Sequence, residues 1–166
     1  MILGMSVGAF TILHVIITLV AIGGGLIVVG GMFASHRLPM TTALFLFTTV
    51  LTSVTGFLFP IHGFTPALGV GILACVILAF ALFALYKEHL VDAWRWIYVI
   101  AAVASLYLNV FVLIVQSFVK VPALNALAPT QSEPPFAVTQ AAVLAIFILI
   151  ALIAVIKFRP TKAVRV

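Results

Sequence analysis

The sequence predicts an all-α integral membrane protein, a five-helix transmembrane bundle forming one domain over residues 1–166. Three observations predict it. Of the 166 residues, 66% are hydrophobic and only 7% are charged, whereas an ordinary soluble domain is about half apolar and about a quarter charged. Five apolar runs, each of about twenty residues or more, follow one another along the chain. The polar connections between them leave no room for a soluble domain. So few charges cannot cover a water-exposed surface of this size. That excludes a soluble globular enzyme, a disordered chain and a nucleic-acid-binding domain.

The spans are expected at about residues 5–33, 41–59, 66–86, 94–119 and 136–157. The first, Met5 to Phe33, lacks a positive leading region and is much longer than a signal-peptide core, so it reads as a retained helix. At 29 residues and about 1.5 Å per residue it exceeds a hydrocarbon core of roughly 30 Å. It must tilt, protrude or kink. Gly23-Gly24-Gly25 is the expected flexible point, and Gly30-Gly31 would permit close packing near one end.

In the second span every hydroxyl lies on one side. At about 100° per residue, Thr41, Thr48, Thr52 and Thr55 form one stripe and Thr42, Thr49 and Ser53 the next, an arc of about 160°. The third and fifth spans are almost free of polar groups. Gly69, Gly71 and the alanines of those spans suit close helix contact. In the fourth, Tyr98, Ser105, Asn109 and Gln116 fall within about 40° of one another. In the first, Thr11, His14, Thr18 and Gly25 fall within about 60°.

Charge sets an expected orientation. Five spans put the termini on opposite sides. With the N-terminus outside and the C-terminus cytoplasmic, the inner pieces carry Arg37, Lys87, Arg95, Lys157, Arg159, Lys162 and Arg165, and the outer pieces carry Lys120 alone. That is the positive-inside pattern. Trp94, Trp96 and Tyr98 then mark the inner interface. Cys75, the sole cysteine, cannot form an intrachain disulfide.

The polar residues admit two readings. Hydroxyls and amides on membrane helices ordinarily bond between helices as packing glue, each worth on the order of 1 kcal/mol or less. The functional alternative is a hydrated or ligand-binding seam lined by Thr11, His14, Thr18, Thr48, Thr52, Thr55, Ser105, Asn109 and Gln116. His14 and Asn109 weigh most, because an imidazole or amide in hydrocarbon needs partners. His14 with His62 is the weak candidate pair for a b-type haem. His36 and His89 lie at the inner side. No CxxCH motif occurs, and no zinc ligand set can be assembled. The carboxylates Glu88, Asp92 and Glu133 all lie in connections. Their positions argue against a proton- or sodium-coupled transporter, which relies on intramembrane acids.

The outer connection, KVPALNALAPTQSEPP (120–135), holds four prolines that forbid a continuous helix. It reads either as a rigid connector or as a lid presenting Gln131, Ser132 and Glu133 to a ligand or partner.

The stretches VTGFLFPIHGFTPALG (54–69), WRWIYV (94–99), LYLNVFVLIVQSF (106–118) and KVPALNALAPTQSEPPF (120–136) resemble a group of small, polytopic, uncharacterised bacterial inner-membrane proteins. The resemblance spans roughly residues 40 to 160. It implies a multi-pass protein of the bacterial inner (cytoplasmic) membrane and supplies no activity and no catalytic residue.

Three functions remain in view. The first is a binding or assembly subunit, embedded in lipid and partnered by itself or by another membrane subunit. The second is a channel or facilitator for a small solute, lined by the polar faces of spans one, two and four. The third is a haem- or quinone-associated redox subunit. No nucleophile–base pair is recognisable, which disfavours an enzyme.

Overall fold

A computed structural model describes residues 1–60, 63 and 66–160. Its helices are α1 (Val7–Phe33), α2 (Pro39–Phe57), α3 (Pro66–Leu82), α4 (Ala93–Lys120), the short α5 (Pro122–Leu127) and α6 (Pro134–Lys157). A π-helical turn, Phe83–Lys87, continues α3. Five helices, counting α3 with that turn, are long and apolar enough to cross a membrane. Among the described residues there is no strand, only an isolated bridge between Ile2 and Met5.

Several of the helices start where local chemistry favours it. The Ser6 side chain caps α1 by accepting from the Ala9 amide at 3.2 Å. Prolines open α2, α5 and α6, where the missing amide proton is no loss. α5 ends before Pro129, and the Asn125 amide reaches back to the Phe118 carbonyl near the end of α4, at 3.1 Å.

Two expectations need correction. The α1 helix runs unbroken through Gly23-Gly24-Gly25. The triplet is not a hinge, because Gly24 and Gly25 are packed against a neighbouring helix. A Cβ on Gly25 would lie 2.7 Å from Leu106 Cδ1 and 2.9 Å from Phe45 Cε2. The span limits also shift by up to two residues, since α2 and α6 begin on their prolines rather than after them.

The helices form a closed ring in the order α1, α2, α3, α4, α6, with α4 also touching α1 across the middle. Leu106 of α4, fully buried, sits against Gly25 of α1, so side chains fill the centre. α4 is the most enclosed helix, while α3 and α6 face outward over most of their surface. Few of their positions are buried: Leu78 and Ala81 on α3, and Gln140, Phe147 and Ala154 on α6, while Gly71 lies against the Phe57 ring. The outer surface carries Ile12, Leu19, Phe80, Leu149 and Ile156, all exposed. Large aliphatic side chains in such numbers suit a lipid solvent.

One cation closes the bundle in a way composition did not suggest. Arg95, near the start of α4, donates from Nη1 to the Val155 carbonyl at 2.9 Å and the Phe158 carbonyl at 2.6 Å. Both are carbonyls at the end of α6, where no further helical amide is available and positive charge is favoured.

Candidate functional site

The polar residues of α1, α2 and α4 meet in two places on α2. On the α1 side, His14 Nδ1 lies 2.7 Å from Thr55 Oγ1. One turn further along, Thr18 Oγ1 lies 3.4 Å from Thr52 Oγ1. On the α4 side, Asn109 Nδ2 donates to Thr49 Oγ1 at 3.3 Å.

Most of the hydroxyl protons are used within their own helices. Thr11 donates to the Val7 carbonyl, Thr18 to His14, Thr48 to Leu44, Thr49 to Phe45, Thr52 to Thr48 and Thr55 to Leu51. This back-bonding satisfies a hydroxyl where no water is at hand. It also fixes the histidine. Thr55 directs its single proton to the Leu51 carbonyl at 2.6 Å, so both contacts are satisfied when His14 Nδ1 carries the proton and donates. Nε2 then holds a lone pair. The ring is half-buried and stands edge-on to Phe59, with centroids 5.4 Å apart.

The remaining seam candidates lie elsewhere. Ser105 is buried, and its hydroxyl has no partner among the described residues. Gln116 is exposed. It shares the angular sector of Asn109 but lies seven residues further along, level with the last turn of α2. His62 lies outside the described residues. His36 and His89 are exposed at the opposite end of the bundle from His14. Among the described residues no group of three His, Cys, Asp or Glu side chains could hold a metal ion.

The 120–135 connection is tied together by Glu133. Its carboxylate accepts from the Thr130 amide and hydroxyl and from the Ser132 amide, at 3.2, 2.9 and 3.1 Å. Desolvation acts to raise this carboxyl. The Thr130 hydroxyl, with the amides of Glu133, Thr130 and Ser132, outweighs it and holds the group below the ordinary carboxylate value. Ser132 Oγ also contacts Thr130 Oγ1. Gln131 takes a left-handed backbone, φ 59°. Ser132 and Glu133 therefore bond within the loop, which makes it a self-braced connector.

Two polar contacts escaped the sequence reading. Gln140 on α6, in a span that looked almost free of polar groups, is buried and donates to the Phe111 carbonyl of α4 at 3.2 Å, while its Oε1 has no partner among the described residues. A lone glutamine has no periodic pattern to betray it. Thr49 was visible as a member of the hydroxyl arc, but nothing in the spacing singled it out as the partner of Asn109.

The His14–Thr55 and Asn109–Thr49 contacts tie α1 and α4 to α2. Asn109→Leu is expected to cost only about 0.5–1.5 kcal/mol in a detergent unfolding titration, because Thr49 keeps its own bond to Phe45. A loss of several kcal/mol would show that Asn109 has a partner beyond Thr49.

No protein-family model matches the chain, no curated protein matches it, and no solved structure matches it.

Proposed function

We propose that this protein is a small membrane-embedded assembly subunit that binds a second copy of itself, or another membrane subunit, along one face of α1. The observation that carries the reading is the division of the α1 glycines. Gly24, Gly25 and Gly31 are buried and meet Phe45, Leu106 and Leu38 of this chain. Gly8, Gly23 and Gly30 are exposed, and a Cβ on any of them would meet nothing within 4 Å. These three share an arc of about 60°. In a helix interior a glycine costs about 1 kcal/mol of propensity relative to alanine, and no contact among the described residues accounts for that cost. A partner helix would, since glycine lets two membrane helices approach backbone to backbone.

The solute-facilitator reading has less support, because the α1–α4 contact fills the position a central bore would occupy. The reading also includes a sidedness. Arg37, Lys87, Arg95, Lys157 and Arg159 gather at one end and Lys120 lies at the other. The basic end is the cytoplasmic one by the positive-inside rule, with the N-terminus outside. The resemblance of residues 54–69, 94–99, 106–118 and 120–136 supports a bacterial inner membrane as the setting. Reporters fused to the two termini should report opposite compartments.

The decisive experiment is crosslinking in native membranes, with subunit counting by single-molecule photobleaching. The wild type should give an oligomer or a defined heteromeric band. Gly23→Leu combined with Gly30→Leu should abolish it while leaving the fold of the single chain intact. A wild type that is strictly monomeric and crosslinks to no membrane protein ends the proposal.

A further inference from the structure

At the basic end lies a cavity of about 160 Å³, which includes Val28 and Met32 of α1 but none of its exposed glycines. Its floor and walls are Val28, Met32, Leu85, Leu90 and Phe158, with Thr42 and Tyr98 among them, and its rim carries His36, Arg37 and Tyr86. Among the described residues no carboxylate lines it.

The backbone around it is specially shaped. The π-helical turn Phe83–Lys87 widens the end of α3 and closes with the Glu88 amide on the Phe83 carbonyl at 3.1 Å. The chain then passes through left-handed His89 and Leu90, φ 50° and 61°. The Leu90 amide reaches the Ala84 carbonyl at 3.0 Å, and its side chain is buried. The result is an apolar pocket that opens beside an exposed guanidinium.

We infer that this cavity binds the head of an anionic phospholipid. The Arg37 guanidinium would hold the phosphate, and the apolar walls would hold the glycerol and first methylenes. The chemistry is specific in three respects. A planar guanidinium pairs bidentately with phosphate oxygens. His36 adds a second nitrogen donor and no acid competes. Tyr86, exposed at the rim, suits the headgroup level, where one end of the ring is apolar and the other wet. The volume is below the roughly 300–1,000 Å³ of sites that enclose a whole small ligand. It therefore suits the end of an amphiphile whose tails lie outside along the helices. Basic pockets between membrane helices are the ordinary means of holding anionic headgroups.

The test uses the full chain in nanodiscs of phosphatidylcholine containing a minor fraction of phosphatidylglycerol, with retained lipid counted by native mass spectrometry. The wild type should retain phosphatidylglycerol over phosphatidylcholine. Arg37→Gln should weaken that retention about tenfold, the loss of one charge-assisted contact. Leu85→Trp, which keeps the charge and fills the cavity, should weaken it as well. Lys157→Gln, which removes a charge from the same end but not from the cavity, should leave it unchanged. Equal losses in Arg37→Gln and Lys157→Gln would mean diffuse attraction to a basic surface and would overturn the site. Displacement of the lipid by millimolar inorganic phosphate would overturn the lipid as occupant in favour of a free anion. Retention of the lipid under phosphate supports it.

Discussion

Phe45→Ala should lower the unfolding free energy of the bundle by about 3–5 kcal/mol, measured by titrating dodecylmaltoside-solubilised protein with sodium dodecyl sulfate. The ring is 1% exposed. It fills the space that Gly24 and Gly25 leave open: a Cβ on Gly24 would stand 3.5 Å from Phe45 Cβ, and one on Gly25 2.9 Å from Phe45 Cε2. Two glycines and one phenylalanine thus form a single close contact between α1 and α2. Glycine cannot move to fill a void, so truncation leaves a cavity with walls that do not collapse. In lipid, moreover, packing rather than water exclusion holds helices together, which makes a lost interdigitation costly. A loss below about 1 kcal/mol would mean that the α1–α2 contact relaxes freely.

Arg95→Ala should cost about 3 kcal/mol and act locally, loosening the end of α6 before the rest of the bundle. The guanidinium satisfies the carbonyls of Val155 and Phe158 at once. Hydrogen bonds from charged groups contribute about 1.5–3 kcal/mol each, and a cation at a helix C-terminus adds its interaction with the dipole. The side chain is only half-buried, so water recovers part of the loss, which keeps the estimate at the low end of the sum of two such bonds. Hydrogen exchange should show faster exchange over the last turn of α6, with the α1–α2 interface unchanged. Arg95→Lys should restore only part of the protection, because an ammonium is more strongly hydrated than a guanidinium and leaves water less readily. Uniform protection in Arg95→Ala would show that the last turn of α6 is held by its apolar contacts alone.

The two variants probe features that differ in how far the sequence announced them. The triglycine of α1 was visible and was expected to bend the helix. Flexibility is a property of an isolated helix, however, and packing against Phe45 and Leu106 removes it. Arg95 was visible only as one more charge for the orientation pattern. Its partners lie 60 and 63 residues away, and no local period connects them. The hydroxyl arc of α2 was legible because helical phase places residues on a face. Phase does not say which helix that face meets. Hence Thr52 and Thr55 turn to α1 while Thr49 turns to α4, and Gln116, in the sector of Asn109, is exposed.

The number and approximate extent of the helices long and apolar enough to cross a membrane follow from the sequence alone, because hydrocarbon solvates apolar side chains and obliges the backbone to bond within each span. So do the breaks between them, where proline and charge interrupt the runs. Only the tertiary structure decided which glycines are spent inside the bundle and which remain on its surface, where the polar side chains find partners, and that a cavity sits beside Arg37. Those depend on the relative rotation and depth of helices far apart in the chain. Steric fit between particular side chains fixes that rotation and depth, and no pattern within a single helix encodes it.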